Sequence, residues 1–195
     1  MSLGKRVEKR RMEKMSNTAF KGMSLIFKIV DFFYPYIKKR IKKFGVREGM
    51  TVVDYGCGPG RYAARLAELV GEKGKVYAID IHELAIEAVK KKIDKYGLTN
   101  IEPVLINGYK STLPDNTADV VCAIDMFFII KNPSEFLGEV KRITKNDGVL
   151  VIDDGHQPRT VTKDKIQESG HWDIFEESSD HLKCRPRNDS KAKEV

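Results

Sequence analysis

Apolar residues recur at alternating steps of three and four from Phe20 through Met23, Phe27, Val30, Tyr34, Ile37 and Ile41 to Phe44, which is the stripe of an amphipathic helix. Leu25, Ile26, Ile29, Phe32, Phe33 and Tyr36 widen the apolar surface well beyond that stripe. Pro35 has no N–H to continue a helix but suits a first helical position, so the pattern predicts either a kink or two helices meeting near Tyr34. The first dozen highly charged residues are predicted to fray.

From Thr51 the period changes. The run TVVDY reads as a strand ending in a glycine loop, after which Tyr62, Leu66, Leu69 and Val70 line a helix that Gly71 can close. VYAIDI (76–81) is a second strand, and Ile86, Val89, Ile93 and Tyr96 mark a second helix closed by Gly97. IEPVLI (101–106) follows, then the turn LPDNTAD and the run DVVCAID, continuous enough to be a strand covered on both faces. After Pro133, the residues Phe136, Leu137, Val140 and Ile143 define another helix, and Asn146-Asp147-Gly148 predicts a turn into the strand VLVIDD. A helix near Thr162 to Ser169 precedes WDIFEE and HLKCR, two strands joined by a tight turn. Alternating strands and helices define an α/β fold with a parallel sheet, here ending in an antiparallel hairpin. The expected organisation is a helical arm over 1–44, one domain over 45–186 and a polar tail over 187–195.

Charge changes this picture only at the arm. Residues 1 to 50 carry 14 Lys and Arg against four acids, a net +10, which leaves −3 for the remainder of a chain whose total is +7. Such a split points the arm, and above all Lys38 to Lys43, toward an anionic surface, membrane or nucleic acid, with a solvated charge run as the bland reading. Cys57, Cys122 and Cys184 lie far apart without CxxC or His pairing, which predicts neither a disulfide framework nor a zinc site, and a reduced, intracellular setting. No apolar run reaches the roughly 20 residues a membrane span needs, and no secretory leader pattern opens the chain. The expectation is a soluble, cytoplasmic protein with peripheral membrane contact open to its arm.

The candidate chemistry sits at the strand ends. Gly56, Gly58 and Gly60 alternate as GxGxG, so the loop can turn with positive φ and let a ligand lie on bare backbone. The dinucleotide fingerprint GxGxxG places its third glycine one position later, which disfavours a nicotinamide cofactor. Asp80 ends the second strand 20 residues past Gly60, where an acid of a doubly wound sheet reaches the ribose hydroxyls of a bound nucleoside. Asp153, Asp154 and His156 follow the fifth strand and are the general-base candidates, with metal ligation or a capped polar loop as alternatives.

VVDYGCGPGRYA, VYAIDI, LPDNTADVV and ITKNDGVLVI, in this order and followed by a terminal hairpin, closely resemble the class I S-adenosylmethionine-dependent methyltransferases over about residues 45 to 185. Among them the chain looks most like the small methyltransferases that include quinone-biosynthesis enzymes. The resemblance implies a Rossmann-like, doubly wound sheet of seven strands with an antiparallel last strand, and S-adenosylmethionine as cofactor. It also implies roles. Asp54, Gly56, Cys57, Gly58 and Gly60 would lie against the methionine portion and ribose, with Asp80 on the ribose and Ile81 on the adenine. Where the family commonly shows Gly-Asp-Ala after the third strand, this chain has Gly108-Tyr109-Lys110, so Asn107 or a backbone carbonyl would replace the adenine-reading carboxylate. Asp125 and Phe127, after the fourth strand, complete the implied cofactor set, and Asp125-Met126-Phe127-Phe128 replaces a more polar segment and implies an apolar acceptor pocket. Catalytic roles fall to His156 and Asp154, and no metal is expected. Aromatic rings such as Tyr34, Phe127 and Phe128 could face a sulfonium, or simply be core.

The leading expectation is therefore methyl transfer to a small or amphiphilic acceptor, with nucleic acid not expected as substrate. A nicotinamide oxidoreductase and a non-catalytic nucleoside-binding module that meets membrane or RNA through the arm are the competing readings. The acceptor atom and the oligomeric state are not encoded in any motif.

Overall fold

The computed structural model of the chain describes residues 14–33 and 36–188. Two helices form the arm, α1 (Asn17–Phe33) and α2 (Tyr36–Ile41). The expected meeting point, Tyr34-Pro35, the fraying of the first dozen residues and most of the polar tail lie outside the described residues. Along the predicted stripe, Phe20, Ile37, Ile41 and Phe44 are buried, and Met23 and Phe27 are half-buried. Among the described residues, no helix is long and apolar enough to cross a membrane.

The chain divides into two units, Met1–Ser111 and Thr112–Val195. In the first, β1 (Thr51–Tyr55), β2 (Lys75–Asp80) and β3 (Ile101–Leu105) pair in parallel, with Tyr55 opposite Ile79 and Asp80 opposite Leu105. Val52, Val53, Val76, Ala78 and Ile79 are fully buried, as strands covered on both faces require. Pro103, which cannot donate to a ladder, sits in β3, an edge strand where this is tolerated. Helices α3 (Arg61–Val70) and α4 (Glu83–Tyr96) connect these strands. The N-cap of α4 is His82, whose Nδ1 accepts the Leu84 N–H, and Gly97 closes the helix in the left-handed region. Tyr96 departs from its predicted apolar role: it is 58% exposed, and Ile93 is only half-buried, so the buried face of α4 is Ala85, Ile86 and Val89.

In the second unit, β4 (Ala118–Ala123) pairs in parallel with β5 (Thr144–Ile152), and helix α5 (Pro133–Ile143) precedes β5. Asn132 caps α5 by accepting the Glu135 N–H, with Pro133 in the first turn where its missing N–H costs nothing. The predicted turn at Asn146-Asp147-Gly148 is not a break: β5 begins at Thr144, opposite Ala118, and the register then shifts so that Val149 faces Val120. The turn-forming residues become an irregularity inside the strand because pairing has already begun before them. Arg142 holds the LPDNTAD turn by donating to the Leu113 carbonyl at 2.8 Å and the Asp115 carboxylate at 2.5 Å. After α6 (Arg159–Ser169), β6 (Trp172–Glu177) and β7 (Leu182–Pro186) form the predicted hairpin, and β7 pairs antiparallel with both β5 and β6. Trp172, buried, donates its indole N–H to the Leu137 carbonyl at 3.0 Å. The sheet order is β3-β2-β1-β4-β5-β7-β6, the seven-stranded Rossmann-like architecture with an antiparallel edge that was expected.

Gly74 shows how closely the entry to β2 is packed. A Cβ there would lie 2.4 Å from Val70 Cβ, 2.6 Å from the Val70 carbonyl oxygen and 2.7 Å from that of Met50. Two of these three are backbone atoms, which cannot swing aside. Gly74→Ala is expected to lower unfolding free energy by about 1–3 kcal/mol, the usual range for overpacking. Urea denaturation followed by circular dichroism measures it, and an unchanged midpoint would contradict the packing argument.

Candidate functional site

In the first unit, the residues flagged by the sequence collect at the carboxyl ends of three adjacent parallel strands. The loop after β1 turns through Gly56 (φ 73°), Gly58 (φ 51°) and Gly60 (φ 70°), all in the region that a side chain disfavours. Its backbone is fastened to β2, because the Gly56 and Cys57 N–H groups both donate to the Ile79 carbonyl, at 2.8 and 3.0 Å. The next donor, the Gly58 N–H, reaches the Asp80 carboxylate (Oδ2, 2.9 Å). The other oxygen, Oδ1, accepts the His82 N–H at 2.8 Å. Asp80 thus bridges the glycine loop and the start of α4. A Cβ at Gly58 would meet nothing within 4 Å, so this glycine serves the backbone turn and leaves open space in front of the loop.

Burial raises the Asp80 carboxyl above its usual value, and the Gly58 and His82 N–H bonds oppose that rise. Burial, with the nearby Asp80 and Asp54 charges, also pushes the Cys57 thiol well up, which makes it a packing group and not a nucleophile. Asp54 is buried near the end of β1 at 2% exposure. Ile81 is half-buried beside Asp80. The loop after β3 carries exposed Asn107 and half-buried Gly108 (φ 88°) and Tyr109, and the Tyr55 hydroxyl donates to the Tyr109 carbonyl, tying this loop to the end of β1. Tyr109 thus holds this loop through its backbone carbonyl.

The sequence reading missed the arm's partners. The Phe20 ring lies 4.5 Å from the buried His82 ring, the Arg61 guanidinium stands 3.9 Å over the Phe27 ring, and Lys14 pairs with Glu83. Buried Arg40 donates to the Tyr62 hydroxyl at 2.8 Å. A signal was present: Arg61-Tyr62 directly follows Gly60 and His82-Glu83 directly follows Ile81, so anything on them borders the loop and Asp80.

The second unit has its own strand-end cluster. Asp125 leaves β4 with φ 58°, and its N–H donates to Asp153 Oδ1 at 2.9 Å, joining the ends of β4 and β5. Phe127 is fully buried, 5.9 Å from the Phe136 ring and with the Lys165 ammonium 5.3 Å over its face. Phe128 is half-buried and meets the exposed His156 ring edge-on at 4.9 Å. Asp154 accepts from Arg159 Nε at 2.7 Å, and Arg159 also reaches Glu177 and the Ser178 carbonyl. Among the described residues no group of three or more His, Cys, Asp or Glu is placed to hold a metal ion, and all three cysteines are buried and outside any disulfide.

A parallel sheet whose first strand ends in a positive-φ glycine loop, and whose second ends in a carboxylate bonded to that loop, is the arrangement found in nucleoside-binding α/β proteins. The comparisons narrow this. A family model for a methyltransferase domain matches residues 46–185, and the chain belongs to that family. It is 31% identical over 124 residues to the demethylmenaquinone methyltransferase of Geobacillus stearothermophilus, covering 62% of this chain and 52% of that protein. Identity is 33% over 109 residues with the ubiquinone/menaquinone biosynthesis C-methyltransferase of Escherichia coli (strain K12 / DH10B), covering 55% and 43%. The chain spans about half the length of these curated relatives. A SAM-dependent methyltransferase from Aquifex aeolicus superimposes with a TM-score of 0.78 at 29% identity, covering 89% of this chain and all of that one.

Asp153→Ala removes the acceptor of the Asp125 N–H and is expected to cost about 1–3 kcal/mol in urea unfolding, the range for a lost neutral or charge-assisted hydrogen bond. Asp153→Asn keeps an acceptor oxygen and is expected to recover most of the loss. Equal stability for all three proteins would remove this bond from the structure's support.

Proposed function

We propose that the chain is an S-adenosylmethionine-dependent methyltransferase acting on a small lipophilic acceptor. The observation that carries this reading is the Asp80 carboxylate, bonded to Gly58 and His82 N–H at the end of β2 and bordering a loop with three positive-φ glycines. The residues fit the cofactor: an ionised carboxylate has lone pairs left for two ribose hydroxyls, and the open space in front of Gly58 admits a ligand against the backbone. Gly56, Cys57, Gly58 and Gly60 would line the methionine and ribose portion together with Asp54. Ile81 would pack on the adenine, and Asn107 and Gly108 would read its edge. Asp125 and Phe127 are assigned to the cofactor by the resemblance alone. Residues 45–186 are proposed as the catalytic domain, with 1–44 as its arm and 187–195 as a tail.

When bound, the cofactor supplies an activated methyl on sulfur, which leaves with the C–S electron pair returning to sulfur as the acceptor forms its new bond. The chain's part is to hold the two in line and exclude water. For an acceptor that must lose a proton, His156 is the proposed base, with Asp154 fixed beside it in sequence by Arg159. Met126, Phe128 and Ile129 supply apolar surface suited to a lipophilic acceptor. The proposed location is cytoplasmic, with peripheral membrane contact through the basic arm.

Calorimetric titration tests the cofactor. S-adenosylhomocysteine is expected to bind and NAD not to, and tighter binding of NAD overturns the reading. Asp80→Ala should weaken the cofactor by about 1.5–3 kcal/mol, the range for a lost bond to a charged group.

The pH dependence has a defined sign. The ionised carboxylate is the form that accepts ribose hydroxyls, so affinity should fall as pH drops through the raised Asp80 value, beginning above the ordinary carboxylate range. Folding responds oppositely: a raised carboxyl holds its proton more tightly in the native state, so its own contribution to stability declines as pH rises through that value. Asp80→Asn should flatten the acid limb of the affinity profile; an unaltered limb assigns it elsewhere.

For the acceptor, labelled donor is offered to lipid, RNA and protein extracts. Label is expected in the lipid fraction, and transfer to RNA alone would overturn the assignment.

A further inference from the structure

Helix α1 has two apolar faces, and among the described residues only one is seen against a partner. The inward side carries Phe20 against His82 and Phe27 under Arg61. The outward side leaves Leu25, Ile26 and Ile29 at 61%, 60% and 52% exposure. Three large aliphatic side chains within five residues of one helix form a patch, unlike a singly exposed Leu. The next helix and the turn after it present Lys38, Lys39, Lys42 and Lys43 to solvent. Apolar side chains beside a run of lysines are the composition that enters an anionic lipid interface, where each nearby cation adds attraction to the headgroups.

The inward contacts fall on residues that border the cofactor loops. Arg61 and Tyr62 follow Gly60, while His82 and Glu83 follow Asp80 and Ile81. His82 has three ties at once: its backbone N–H donates to Asp80, its Nδ1 caps α4, and its ring lies against Phe20. When the arm is seated, the residues that hold Asp80 and lead out of the glycine loop are fixed.

We propose that the outward face of α1 docks on an anionic lipid surface and that docking is linked to cofactor binding, because the same helix seats on Arg61 and His82 with its other face. This rests on the methyltransferase reading of the glycine loop and Asp80. A helix in a protein draws most of its stability from packing of its apolar face, and a lipid surface that takes up the outward face favours the ordered, seated arm. Linkage is reciprocal, so occupied cofactor loops also favour lipid docking.

The test uses the full chain and phosphatidylcholine vesicles with and without phosphatidylserine. S-adenosylhomocysteine affinity is measured calorimetrically in buffer and on each vesicle, and vesicle co-sedimentation is measured with and without S-adenosylhomocysteine. Affinity is expected to rise about fivefold or more on anionic vesicles only, the lower end of ordinary couplings, and co-sedimentation to rise with ligand. Leu25→Glu with Ile29→Glu, or the milder Leu25→Ser with Ile29→Ser, should abolish sedimentation and the gain while keeping the affinity in buffer. Phe27→Ala should still sediment but lose most of the gain. Sedimentation with unchanged affinity overturns the linkage and leaves lipid contact standing. Absence of sedimentation overturns both, as does concentration-dependent self-association that requires Leu25 and Ile29. Failure of S-adenosylhomocysteine to bind in any condition overturns the cofactor reading, and the linkage with it.

Discussion

The carboxylate of Asp80 is the constraint on which the first unit turns. One oxygen takes the Gly58 N–H and the other the His82 N–H, so a single side chain sets the distance between the glycine loop and the head of α4. Its burial carries an electrostatic cost, and the two backbone donors offset part of it. The glycine loop makes the Asp80 bond possible: with Gly56, Gly58 and Gly60 at positive φ, successive N–H groups point toward β2, two to the Ile79 carbonyl and one to Asp80. The arrangement in turn requires the β1–β2 register, since Tyr55 must stand opposite Ile79 for the loop to begin beside its acceptors. A slip of one residue would send Asp80 to the other face of the sheet.

The second unit meets the same problem, joining two strand ends, with the donor and acceptor arranged differently. There the donor is the N–H of Asp125, held at positive φ, and the acceptor is Asp153 at the end of the neighbouring strand. The loop that follows β5 is shaped by packing. Gly155 has φ 55°, and a Cβ there would lie 2.3 Å from Phe128 Cδ1, so the Phe128 ring occupies space that only glycine leaves. That ring in turn meets the edge of His156. The polar members of the loop are divided: Asp153 faces the β4 end, Asp154 is taken by Arg159, and His156 stands in solvent against an aromatic ring.

Much of this was legible in the sequence, for a physical reason that also explains the rest. Strand ends, glycine loops and helix stripes are local patterns, so Asp54, the glycines, Asp80 and the faces of α3 and α5 could be assigned from spacing. What depends on a non-local partner could not. Asn146-Asp147-Gly148 has strong turn chemistry, yet Thr144 already pairs with Ala118, and the strand continues through a register shift. Phe127 and Phe128 are identical in type and adjacent in chain, and only tertiary packing decides that one is enclosed by Phe136 and Lys165 while the other reaches His156. Asp153, Asp154 and His156 are alike as base candidates in the sequence, and only tertiary contacts divide them: Asp153 accepts the Asp125 N–H, and Asp154 accepts from Arg159. Tyr96 fits the helical period but falls at the last residue of α4, past its buried face.

The arm brings these considerations to a question of energy. Its ties are individually modest: an exposed ion pair such as Lys14–Glu83 contributes at most about 1 kcal/mol, and a cation over a half-buried ring, as Arg61 over Phe27, about 0.5–2 kcal/mol. The deeper anchors are divided: Phe20 belongs to α1, Ile37 and Ile41 to α2, and Phe44 to the turn after it. A 17-residue helix held by such ties, with three aliphatic side chains left in water, sits on a shallow free-energy difference between seated and released states. A shallow difference is what a ligand of modest differential affinity can shift, whereas an arm locked by many kilocalories would respond to nothing. The exposed Leu25, Ile26 and Ile29 and the buried Phe20 are therefore two ends of one equilibrium, in which the surface that receives the outward face also decides how firmly His82 and Arg61 are held.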